Sequence, residues 1–174
     1  MNSSSIFTNV FRFISLVALQ VLILKRINIG GDSFNYISIF VYPLFIFLLP
    51  LRTPKAAILL LAFTMGLVID MFYDSPGVHA SAMVFIGFIR PFILNRIEPR
   101  GGYNPNYSPT KKRMGFSWFL RYSAILLFVH LLFYFSVEIF NFALFGDVII
   151  RTISSFVISM IFIIILIFIF DPTD

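Results

Sequence analysis

The sequence predicts an all-α integral membrane protein with six transmembrane helices, and three observations carry that expectation. Hydrophobic residues make up 59% of the 174 and charged residues only 12%, where a soluble domain runs closer to half and a quarter. Mean hydropathy is +0.95. The apolar residues, 24 phenylalanines among them, also gather into six runs near the roughly 20 residues that a membrane helix needs. Residues 1–174 read as a single membrane domain, with no tail long enough to form a second.

The first run, 6–24, is interrupted only by Arg12. Its length, and the lack of a small-residue cleavage site before Lys25 and Arg26, predict a retained helix rather than a signal peptide. The second, 36–51, is short and holds Pro43 and Pro50, whose missing donors a neighbouring helix or water has to compensate. The third and fourth, 56–72 and 76–94, are separated by very few residues. Ser75 followed by Pro76 reads as an N-cap and a first-turn proline, so the fourth helix is expected to start there after a tight turn. The fifth and sixth runs cover 116–140 and 148–170.

Orientation follows from the loops. Lys and Arg concentrate in short connections that stay cytoplasmic. Arg96, Arg100, Lys111, Lys112 and Arg113 crowd the connection 95–115 against Glu98 alone, and Arg52 and Lys55 flank the connection after the second run. Both connections are expected inside, and six spans then place both termini in the cytoplasm. Lys25 and Arg26 break the rule, because this topology puts them outside. The glycines, prolines and asparagines of 95–115 predict a mobile cytoplasmic loop. The net charge of +5 reads as topology and attraction to anionic lipids, not as a nucleic-acid surface.

The sequence has no cysteine, which removes disulfides and thiolate metal sites and leaves the redox compartment open. No phosphate-binding glycine loop, HExxH, or Ser/His/Asp set occurs. An enzyme, a bound cofactor and a resident metal are therefore not expected.

The most informative stretch is "MGLVIDMFYDSPGVHASAM", in which Asp70, Asp74 and His79 interrupt apolar sequence. Counting about 1.5 Å per residue from Lys55 puts Asp70 about 22 Å along the third helix, near the outer interface. Gly66, one turn earlier, and Gly77 allow two backbones to approach closely. Three readings compete for this acidic tip: a buried polar anchor that caps or orients helices, a partner-binding surface, and a divalent-metal site shared by Asp70 and Asp74 at i, i+4. The anchor is the blandest. The metal site lacks the further carboxylates and phosphate-binding groups that such chemistry needs.

Two other sets are open to the same weighing. His130, Tyr134 and Asn141, with Glu138 nearby, form a polar stripe on the fifth helix, read as interhelical hydrogen bonding or as a ligand site. Arg12, Arg90 and Arg121 lie toward the cytoplasmic ends of their helices, read as reaching to lipid phosphates or as docking a cytoplasmic partner.

The segment from Leu48 to Ile89 resembles the MreD family of rod shape-determining membrane proteins. The resemblance rests on a Pro-ended run, a short basic turn, a G-x-x-x-D helix and a Gly-containing turn followed by Ala. Pro50, Gly66, Asp70, Gly77 and Ala80 are the matching positions, with His79 inside the same motif. Leu19-Gln20 in the first run is also similar, whereas the basic loop is longer than the family pattern. The resemblance implies a non-catalytic scaffold of the bacterial cell-elongation machinery, binding MreC and helping to couple MreB filaments to peptidoglycan synthases. It also implies a fold similar to the S component of energy-coupling-factor transporters, which raises the alternative of a small-solute (vitamin) binding subunit. Against that alternative, the first helix pairs Ser15 with Leu19 and Ala18 with Leu22, where such S components carry an A-x-x-x-A docking spacing.

Overall fold

A computed structural model describes residues 3–27 and 37–170. Among these, five helices are long and apolar enough to cross a membrane, and the regular elements are all helical. Helix α1 (Ser3–Ala18) passes into a π-turn over Leu19–Ile23 and a 3₁₀ turn over Leu24–Arg26. The other long helices are α3 (Lys55–Tyr73), α4 (Val78–Arg96), α6 (Phe116–Ile139) and α7 (Phe145–Phe170). Two single turns, α2 (Leu44–Phe47) and α5 (Lys111–Met114), complete the set.

The six-helix expectation fails at the second run. Over the described part of 36–51 only α2 is helical; Tyr36 itself lies outside the described residues. Ile39 to Leu49 are nevertheless all buried, so an irregular strand of chain fills the middle of the bundle. Non-helical backbone is tolerated at that depth only where protein surrounds it and satisfies its polar groups. Here side chains of four helices do so. Ser155 and Ser159 of α7 accept from the amides of Ser38 and Phe40 at 2.9 and 2.8 Å. Gln20, in the π-turn, accepts from the Val41 amide at 3.0 Å and donates to the Ile39 carbonyl at 2.8 Å. From the last residue of α2 onward, Tyr122 donates to the Phe47 carbonyl at 3.1 Å, Arg12 to that of Leu48 at 3.3 Å, and Arg90 to that of Leu49.

This buried segment links the two ends of the bundle. Near its start, Gln20 also bonds the Tyr73 hydroxyl, at the last residue of α3. At its finish, Leu51 and Arg52 donate to the carbonyls of Tyr107 and Pro105 at 3.0 and 2.9 Å. The connection 95–115 is thereby pinned to the bundle rather than loose. Tyr103 donates to the Leu94 carbonyl at 2.8 Å and Trp118 to that of Ile97 at 2.9 Å, and Ser108 and Thr110 are buried. Partial burial pushes the Tyr103 phenol up to about 12, so it remains a donor at neutral pH.

Helices α3 and α4 form the closest antiparallel pair. A Cβ on Gly66 would meet the Ala80 Cα and come within 2.6 Å of its amide nitrogen and 2.7 Å of the His79 carbonyl oxygen. Further along the same interface Gly87 faces side chains and not backbone, where a Cβ would meet the Ile58 Cγ2 methyl tightly at 3.3 Å and the Ala62 Cβ at 3.4 Å. The buried stripe of α3 (Ile58, Ala62, Met65, Gly66, Ile69, Asp70) is matched by an equally apolar outward face that includes Leu60, Phe63, Leu67 and Met71. Apolar residues on both faces are what lipid, not water, permits.

Candidate functional site

The turn between α3 and α4 is built around one carboxylate. Gly77 takes a left-handed conformation (φ 88°) that stops the helix from starting earlier, so α4 begins at Val78 and not at the expected Pro76. The cap is not Ser75 but Asp70, reaching across from α3. Its Oδ2 accepts from the Gly77 and Ala80 amides at 3.1 and 3.0 Å, and its Oδ1 from the His79 amide at 2.9 Å. Oδ1 also takes the Ser75 hydroxyl at 3.2 Å and His79 Nδ1 at 3.0 Å. Five donors surround a carboxylate that is 3% exposed. It lies on the positive end of the α4 dipole, where a negative charge is favoured.

Because a carboxylate only accepts, the proton on His79 is assigned to Nδ1. Nε2 is then the acceptor, and it has no hydrogen-bond partner although the residue is fully buried. The imidazole ring lies among aromatic rings: Tyr73 and Tyr134 at 4.8 Å between centroids, Tyr42 at 5.7 Å and Phe40 at 6.0 Å. His130 joins this layer through the Tyr42 hydroxyl, 2.9 Å from its Nε2.

Gly66, Asp70, Gly77, His79 and Ala80 thus come together in one joint. Pro50 does not: it lies at the other end, where its carbonyl accepts from Thr53 beside the 103–110 loop. Asp74 is exposed in a left-handed conformation (φ 53°) at the C-terminus of α3, apart from the Asp70 oxygens. No group of three or more metal-ligating side chains occurs among the described residues.

The polar stripe of α6 divides. His130 and Tyr134 enter the aromatic layer, Glu138 pairs with Arg151 of α7 at 3.7 Å, and Asn141 accepts from the Ala143 amide. The three arginines divide as well. Arg121 is exposed and bonds its own helix. Arg90 is 1% exposed and does not reach lipid; it donates to Tyr122 at 2.9 Å and to Leu49, and Arg12 likewise holds Leu48. Lys25, the cation that contradicts the charge rule, donates to the Phe72 carbonyl and lies over the Tyr73 ring. The negative C-terminal end of α3 therefore stabilises it.

Sequence reasoning missed the clamp on the buried segment. The signal available was Ser155 and Ser159, spaced i, i+4 on the most apolar helix of the chain. Fold and site together define the class as a multi-pass helical membrane protein. No family model, curated protein or solved structure matches the chain.

Proposed function

We propose that the protein is a non-catalytic scaffold of the MreD type, working in the cell-elongation machinery of a bacterial inner membrane. The observation that supports this reading best is the complete use of the G-x-x-x-D motif as a joint. Gly66 admits the α4 backbone, Asp70 caps it, and five donors converge on the two carboxylate oxygens. A rigid α3–α4 hairpin with apolar outer faces suits a protein that works by holding a membrane partner. In this reading the chain crosses the membrane six times, the second crossing being the irregular segment, and both termini are cytoplasmic. The partner is an MreC-like membrane protein, with MreB and peptidoglycan synthases coupled indirectly.

A second reading, a solute-binding subunit similar to an energy-coupling-factor S component, draws on a different observation. The unpartnered Nε2 of His79 among tyrosine rings is the kind of convergent polar group that a small-molecule pocket uses. Depletion in the native host separates the two. Rounding and lysis with unchanged nutrient uptake, and co-purification of an MreC-like protein in mild detergent, are expected. Retained rod shape with auxotrophy for a small nutrient overturns the scaffold reading in favour of the transporter.

A further inference from the structure

The connection 95–115 runs across the base of the bundle. Tyr103 is bonded to the last turn of α4, Pro105 and Tyr107 to Arg52 and Leu51 where the buried segment ends, and Lys111 lies 4.0 Å over the Phe168 ring near the end of α7. Its path therefore passes beneath the middle of the protein. Exposed cations surround this base: Arg52, Lys55, Arg96, Arg100 and Lys112. None of them is paired with a carboxylate among the described residues, and Arg52 bonds the neutral Asn106 side chain at 3.1 Å. Glu98 is the single acid of the connection. We infer that this base is a docking surface for an acidic segment of a cytoplasmic protein.

Charge bias alone orients a membrane protein, and it asks for no folded loop. Here the loop is folded as well. Ser108, Pro109 and Thr110 are buried, so the exposed stretch before them rests on a packed support and carries its charges in fixed places. Order present before binding lowers the entropy that a partner has to overcome. Arginine adds geometry to charge, because its planar fork takes a carboxylate through two parallel hydrogen bonds.

Anionic lipid competes for the same charges, and two observations favour protein. A segment that rests on a bilayer buries large apolar side chains in it, yet no large hydrophobic residue is exposed between Phe92 and Phe116. Proline, glycine and asparagine separate the charges there instead. The path beneath the bundle also sets the loop over protein, whereas lipid surrounds the rim. A surface so polar binds through charge, and salt weakens it. The inference rests on the topology of the proposed reading, which turns this base to the cytoplasm, and not on the scaffold role.

The test uses the full chain in phosphatidylcholine nanodiscs, which leave both faces open, so its outcome is separate from that of the topology. The probe is a fluorescein-labelled Glu-Gly repeat peptide read by anisotropy at low salt, with a Gln-Gly peptide as its neutral control. The acidic peptide is expected to bind and to be released by salt. Arg96→Gln, Arg100→Gln and Lys112→Gln combined should weaken it about tenfold, since exposed charge pairs contribute modestly and these three add. Arg26→Gln, exposed at the opposite end, should leave it unchanged. Circular dichroism melting confirms that both variants are folded. No binding of the acidic peptide, equal binding of the neutral one, undiminished binding in the triple variant, or an equal loss in Arg26→Gln overturns the surface. A fluorophore on Asn104→Cys that is quenched by headgroup spin-labelled lipid as strongly as one on Arg121→Cys also overturns it, because the loop then lies on lipid.

Discussion

Asp70 stands where two helices need the same atom. Its carboxylate closes three amides at the start of α4 while belonging to α3, so truncation leaves buried donors unsatisfied. Asp70→Ala is expected to destabilise the protein by more than the about 1–3 kcal/mol of one orphaned group, and Asp70→Asn by less, since one oxygen remains. Thermal unfolding in detergent measures both. Asp74→Ala touches none of these bonds and should shift the midpoint little. The glycines make a second contrast. Gly66→Ala drives a methyl into the Ala80 backbone, which cannot move aside, whereas Gly87→Ala meets only side-chain atoms, the Ile58 Cγ2 at 3.3 Å and the Ala62 Cβ at 3.4 Å, which need to give by a few tenths of an ångström. The first should cost about 1–3 kcal/mol, as overpacking does. The second should be near neutral, because a methyl in a helix interior gains up to about 1 kcal/mol of propensity over glycine. Equal losses in the two variants would mean that close approach at Gly66 is not what that residue supplies.

At the scale of the element, the irregular segment 37–49 is the unusual part. Helices hold themselves by bonds between residues four apart, but this segment is held by Gln20, Ser155, Ser159, Tyr122, Arg12 and Arg90. Its order is borrowed from other helices. Ser155→Ala together with Ser159→Ala should therefore loosen the amides of Ser38 and Phe40 selectively, speeding their hydrogen exchange tenfold or more. Amides of α3 should be unaffected. Uniform acceleration through all helices would show a general loss of stability and not release of this segment.

For the molecule as a whole, the proposed topology makes a prediction that the absence of native cysteine renders clean. Asn106 is exposed in the basic loop and Pro76 in the α3–α4 turn. A single cysteine at each should react with a membrane-impermeant maleimide from opposite sides, Pro76→Cys in intact spheroplasts and Asn106→Cys only after lysis. Labelling of both in intact spheroplasts refutes an arrangement in which α3 crosses once between basic and acidic ends. In that topology Lys25 is an outward cation, and the carbonyl terminus of α3 is what receives it.

The sequence by itself determined the membrane class, the places of the five long helices to within a few residues, and the Gly66 and Asp70 positions as those that matter in the α3–α4 turn. These are local properties. Hydropathy over about 20 residues and bonds between residues four apart are legible in a short window. Tertiary structure decided the rest. Whether 36–51 formed a helix depended on Ser155 and Ser159, which lie 117 and 119 residues from the amides they accept. Whether Arg90 turned outward to lipid depended on Tyr122 and on the carbonyl left open at Leu49. Prolines at 43 and 50 announced that donors were missing. Only the packed bundle could show that serine, glutamine, tyrosine and arginine side chains of other helices would complete the hydrogen bonding, because a buried backbone group takes any partner that reaches it.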